Sequence, residues 1–332
     1  MKKLLLALVS ATALHAVIFA APPPTYTLTD LGVINASSLN FQGQVIGIDA
    51  TPDGHTVPFI LTNGVRKNLP TPAGSYGSAS GINLFGQVTG VVQTLPNPGR
   101  AYLYSNGTLK YLKTLGGANN GGTAVNILAQ VTGGSETANG ESHAFTYTAG
   151  SVKDLGTLGG KVSLGISIND LGQVTGFSDT ATGESYAFIY TDGKMKNLGA
   201  LGGNQSWARH INNWGQVVGA ATTAETGDEG SYHAFLYSHG VMKDIGLAGS
   251  DFSEATDINN LGYAVGHAYL ADFSSHGFLY ANDTLYDLDD LIVNANGWVI
   301  YAATAINDRG QILCDAAGPD GYGRAVLLTP SK

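Results

Sequence analysis

INDLGQVTG, residues 168–176, decides the fold, because the chain repeats it at a near-constant interval. Related phrases are LNFQGQVIG from Leu39, INLFGQVTG from Ile82, VNILAQVTG from Val125, INNWGQVVG from Ile211, INNLGYAVG from Ile258 and INDRGQILC from Ile306. Their asparagines, Asn40, Asn83, Asn126, Asn169, Asn212, Asn259 and Asn307, lie 43, 43, 43, 43, 47 and 48 residues apart. A period of this size marks an array of supersecondary units. Each unit resolves into four short strands. Strand a ends at Ile-Asn, Asn-x-x-Gly makes a tight turn, and Gln-Val-x-Gly is strand b. After a variable polar loop, strand c carries PFIL, AYLY, AFTY, AFIY, AFLY, GFLY and AVLL, beginning at Pro58, Ala101, Ala144, Ala187, Ala234, Gly277 and Ala325. Hairpin turns such as Asn63-Gly64, Asn106-Gly107 and Asp192-Gly193 lead into strand d, which closes at a phrase of the type KDLG. Four antiparallel strands in 43 residues make a propeller blade, so seven copies predict an all-β, seven-bladed β-propeller.

One copy of the last strand is displaced. Six units carry their own, but the seventh, Asp30-Leu31-Gly32, stands at the beginning of the chain. The C-terminal residues supply strands a, b and c of the last blade at Ala302–Asn307, Gln311–Asp315 and Arg324–Thr329. The N-terminal strand Tyr26–Leu31 is therefore expected to pair with Arg324–Thr329 and shut the ring, which removes an open sheet edge. Four residues before each Asn stand Ala36, Ala79, Gly122, Gly165, Ala208, Ala255 and Ala303, all small, as expected of strands converging on an axis.

Composition agrees. Glycine, 46 of 332 residues, is about twice its usual share, and charged residues, at 12%, are about half theirs. Long amphipathic helices need more charge than this on their wet faces. Lys2 and Lys3 precede an apolar run, Leu4 to Ala20, that ends in small residues before Pro22. This pattern reads as a secretory signal peptide, residues 1–20, with cleavage expected after Ala20 or Ala21, and the propeller is then expected at 21–332. The expected location is the periplasm, the cell envelope or the medium. No other run is long enough to span a membrane. Loss of the two lysines leaves 14 basic residues against 25 acids, a surface that repels phosphate backbones, so nucleic acid is not an expected partner. The single cysteine, Cys314, occupies the slot where six units have Gly and is expected to be a buried, inert thiol.

The HAF triplets His143-Ala144-Phe145 and His233-Ala234-Phe235, with DLGTLGG from Asp154 and INNWGQVVG from Ile211, resemble the extracellular HAF-repeat family over nearly the whole mature chain. The resemblance implies an exported bacterial repeat protein and brings no catalytic residues with it. The first and last copies depart from it, with Val57 and Arg324 in place of His.

Candidate functional residues are those that break the repeat. Loops between strands b and c vary most and open, with the d–a loops, on one mouth of the central channel, where binding sites on rigid scaffolds gather. Two residues before the Asn, five units have Ser38, Gly81, Ala124, Ser167 or Ala305, but the fifth has His210 and the sixth Asp257. Trp207, Arg209 and Glu254 stand close by in the same strands. These five residues are the expected ligand site at the variable-loop mouth, for a glycan or a peptide. The alternative is a secreted hydrolase or lyase acting on polysaccharide with a His210/Asp257 pair as base and orienting partner; the plainer reading is an ion pair filling the channel. His143, His233 and His276 recur at one slot of different blades, too far apart for one metal ion, and are read as bonding neighbouring backbone. The acidic run Asp287, Asp289, Asp290, followed by Trp298 and Tyr301, is read as a solvated loop. No metal or cofactor is expected, and the chain is expected to be monomeric.

Overall fold

The computed structural model describes residues 24–32, 35–224, 231–247 and 249–331. The segment read as a signal peptide lies outside the described residues.

Each repeat phrase nucleates the predicted strands. In the third unit Gly116–Val125, Val131–Thr137, Ser142–Thr148 and Ser151–Asp154 pair antiparallel in sequence order. The fourth to sixth units repeat this meander. In the second unit strand a is interrupted into Tyr76–Gly77 and Gly81–Ile82, both paired with Val88–Gln93. Single parallel bridges, such as Ser142 to Val162 and Tyr232 to Phe252, link strand c of one unit to strand a of the next. At the C-terminus Val299–Ile306, Ile312–Ala317 and Gly323–Pro330 form a three-stranded meander. Tyr26–Asp30 adds the fourth strand, in register from Tyr26 opposite Pro330 to Asp30 opposite Val326.

The cores lie between consecutive units. Ala187, Ile189 and Leu198 of the fourth pack on Ala208, Ile211, Val217 and Phe235 of the fifth. Leu39, Val45 and Phe59 of the first pack on Ala305 and Leu313 of the last. This arrangement corrects the reason expected for the small residues of strand a. A Cβ on Gly122 would stand 2.2 Å from Thr89 Oγ1, and one on Gly165 2.3 Å from Thr132 Oγ1. The crowding is with strand b of the preceding unit, not at the axis, which is open.

The asparagines do more than shape turns. Asn169 Oδ1 accepts the N–H groups of Leu171 (3.1 Å) and Gln173 (2.9 Å), while Nδ2 donates to Gln173 Oε1 (2.7 Å) and to the carbonyl of Asn212 in the next unit (3.0 Å). The inter-unit bond recurs from Asn40 to Asn83, Asn83 to Asn126, Asn126 to Asn169, Asn212 to Asn259 and Asn259 to Asn307. Asn307 then donates to the carbonyl of Asn40 at 3.0 Å, so the bonds form a closed cycle.

Candidate functional site

Antiparallel topology puts the a–b turns at one end of the molecule and the b–c loops at the other. Along strand a, Trp207 comes before Arg209, His210 and Asn212, so residues of this one strand reach different depths.

Toward the b–c loops, Glu254 is 5% exposed and serves as an anchor. Its Oε1 accepts Trp207 Nε1 at 2.5 Å and Arg209 Nε at 2.6 Å, and its Oε2 accepts Arg209 Nη2 at 3.2 Å. A buried carboxylate needs such donors, and it fixes the indole and guanidinium planes in return. Trp207, Arg209, Ile166, Phe177, Ala208 and Ser185 line a cavity of about 260 Å³ between the fourth and fifth units. Beyond Trp207 runs an aromatic arc: Tyr232 at 4.7 Å between ring centroids, then Phe252 and Tyr269. His267 packs against both Phe252 and Tyr269, and burial holds its pKa below the usual histidine value.

His210 and Asp257 do meet, but in another place. Both line the axial channel, at the end ringed by the Asn turns, rather than the variable-loop mouth expected from sequence. Asp257 Oδ1 lies 2.8 Å from His210 Nδ1, an electrostatic contact, since the ring N–H finds no acceptor in line. The same carboxylate accepts the amides of Ile258 (2.7 Å) and Ile306 (2.8 Å). The imidazole is 39% exposed, yet only to the walled channel. Desolvation there is the largest single influence and lowers its pKa, but the contacts with Asp257, together with the Ile258 backbone and the Asp308 charge, raise it overall.

The five expected residues therefore divide into a mouth group, Trp207, Arg209 and Glu254, and a channel pair. Sequence reasoning missed Phe177, Tyr232, Phe252, Tyr269 and His267. A signal existed for two of them: Phe177 and His267 stand eight residues after their Asn, where other units have Ile48, Val91, Gly134, Ala220 and Asp315.

The histidines of strand c are held by side chains, not by the backbone bonds expected. His143 Nδ1 lies 2.9 Å from Asp154 Oδ2, His233 Nδ1 2.7 Å from Asp244 Oδ2 and His276 Nδ1 2.8 Å from Asp287 Oδ2. Each aspartate comes from the DLG-type phrase of the same unit. Within the acidic run, Asp287 is thus occupied, and Asp289, whose pKa burial raises, accepts the Ile300 amide at 2.8 Å. Only Asp290 of the three fits the solvated reading.

No protein-family model and no curated protein matches the sequence. Solved structures do show similarity. A puromycin-hydrolysing peptidase of Mycobacterium tuberculosis aligns over 94% of this chain at 12% identity and a TM-score of 0.60. The alignment spans only 56% of the length of that peptidase. YCF48, in a structure bound to D1 peptide, aligns over 94% of this chain and 99% of its own at 9% identity and a TM-score of 0.54. The β-propeller domain of the Trilobed protease from Pyrococcus furiosus aligns over 80% of this chain and 99% of its own, at 10% identity and a TM-score of 0.41. The fold is all-β and propeller-like. Identities this low speak to fold alone.

Proposed function

We propose that this chain is an exported, seven-bladed β-propeller of the HAF-repeat type that works as a monomeric binding module for a glycan. Seven blades and a closed ring are supported by the cycle of asparagine bonds and by the pairing of Tyr26–Asp30 with Gly323–Pro330. The binding reading rests on one observation. Trp207, oriented by Glu254, walls a cavity with Phe177 and Ile166 at the variable-loop end, and Arg209 stands on its edge. An aromatic wall accepts the C–H face of a sugar ring, while the guanidinium and the Ser185 hydroxyl bond its hydroxyl groups. The cavity's roughly 260 Å³ suits one or two rings.

Glycan-array binding followed by calorimetry tests the reading. Arg209→Ala should weaken binding about tenfold or more, and Ser185→Tyr, which fills the cavity, should abolish it with little change in thermal stability. Unchanged glycan affinity in both variants overturns the assignment, and binding confined to a peptide array replaces the glycan with a peptide.

A further inference from the structure

Strand a is the innermost strand of each unit, so one of its edges faces the axis. The register decides which amides point there. In every unit the Asn amide donates to the carbonyl four residues on, at 3.0 Å in all seven. The preceding residue is then in the non-hydrogen-bonded position and turns its N–H away from strand b. Its cross-strand partner is the same throughout: Leu39 faces Val45, Ile82 Val88, Val125 Val131, Ile168 Val174, Ile211 Val217, Ile258 Ala264 and Ile306 Ile312.

Two of these amides show where the set points. Those of Ile258 and Ile306 both end on Asp257, one from its own unit and one from the next. By the same register the amides of Leu39, Ile82, Val125, Ile168 and Ile211 point away from strand b, toward the axis. They face cavities of about 210 and 320 Å³ that share lining residues along the axis. Ser167 holds in the fourth unit the slot that Asp257 holds in the sixth. It is 1% exposed, and its Oγ, on the wall of the larger cavity, has no partner. Buried polar groups left this way call for a bound species.

We infer that the axial channel binds a small monovalent anion, a halide or a carboxylate group, on the amides of Ile168 and Ile211, with the Ser167 hydroxyl and His210 completing the site. The Asp257 carboxylate already fills the equivalent position two units on, and convergent backbone amides form the anion cradle. His210 lines the same cavity, while the Arg209 guanidinium is engaged by Glu254. Asp257 lines this cavity, Asp170 and Asp308 line the adjoining one, and all three already accept N–H donors. Asp170 takes Ile127 N and Asn213 Nδ2, and Asp308 takes Asn260 N and Nδ2. Their charge disfavours a dianion and leaves a monovalent one.

Crystals grown without halide and soaked in sodium bromide test the site by anomalous scattering. The expected result is a peak on the axial side of the Ile168 and Ile211 amides. Ser167→Asp places a tethered carboxylate there, in the relation Asp257 bears to its own two amides, and should erase the peak. In solution, bromide and formate, assayed separately to tell halide from carboxylate, should raise the melting temperature of the native protein more than that of Ser167→Asp. His210→Gln should lower the apparent bromide affinity about tenfold, and it serves if Ser167→Asp does not fold. Water density without anomalous signal at these amides, or one salt response shared by native protein and variants, overturns the proposal.

Discussion

Arg324, in the C-terminal strand, approaches Asp30, in the N-terminal strand, with Nη1 3.7 Å from Oδ2, in the slot where His143 holds Asp154 inside a single unit. The contact that elsewhere joins neighbouring strands of a hairpin here joins the two ends of the chain. Its exposure makes it weak, so Arg324→Ala should cost at most about 1 kcal/mol. The strand it touches is another matter. Tyr26 is 1% exposed and packs with Ile312, Cys314, Val326 and Leu328. Tyr26→Ala should cost about 3–5 kcal/mol in denaturant unfolding. Equal, small effects of the two substitutions would mean that the N-terminal strand does not hold the fold together.

The asparagine cycle predicts a second asymmetry. Asn169 is 4% exposed and fills all four of its bonding positions, whereas Leu171, two residues on, is 73% exposed. Removing the amide orphans the N–H groups of Leu171 and Gln173 and frees the Asn212 carbonyl. At roughly 1–3 kcal/mol per buried group left unpaired, Asn169→Ala should lose about 2–4 kcal/mol. Leu171→Ala should stay within about 0.5 kcal/mol. Urea unfolding of the two variants decides this; a tolerated Asn169→Ala would reduce the cycle to turn chemistry.

The repeat made the strands legible because each unit writes its own turn residues next to its own strands. The Asn bond to the following unit was hidden, since its acceptor lies about 43 residues away and is a backbone atom without a residue signature. Gly122 and Gly165 were recognised as tight positions, but the sequence has no means of saying that the obstacle is a threonine of the unit before. The breaks in the pattern did locate Trp207, Arg209 and Glu254, which the fold joins. Their spacing along strand a did not reveal that His210 and Asp257 belong to the channel, three residues deeper.

The His210–Asp257 contact sets a pH dependence. Burial pulls the imidazole pKa down, but Asp257, with help from Asp308 and the Ile258 backbone, pushes it further up, so the folded value exceeds the unfolded one of about 6.5. Such a group adds stability that is fully present below about pH 6.5 and disappears as pH climbs through the folded value. The melting-temperature difference between native protein and His210→Gln should therefore be larger at pH 5.5–6 than at pH 8.5. A difference that is flat, or that grows with pH, would show that Asp257 does not stabilise the imidazolium.

Strand b supplies the last prediction, because its glycine is absolute in six units and absent from the seventh. A Cβ at Gly176 would lie 1.9 Å from the Leu164 carbonyl oxygen, and one at Gly133 1.8 Å from that of Gly121. No rotamer relieves a clash with backbone, so Gly176→Ala must displace strand a and should cost about 3 kcal/mol or more. Cys314 carries a side chain at this slot and is fully buried. The facing stretch of strand a differs there: its outer register shift falls between Ile300 and Ala302, beside the carbonyl that would otherwise collide, whereas in the fourth and sixth units it lies further out, between Gly159 and Ser163 and between Ser250 and Phe252. Cys314→Ala should consequently cost only about 1 kcal/mol, the loss of one sulfur from a packed site. Burial also pushes the thiol pKa well up, so iodoacetamide should leave Cys314 untouched until the protein unfolds. Rapid labelling of the native protein, or a Gly176→Ala variant as stable as the parent, would refute this account of why one unit alone departs from glycine.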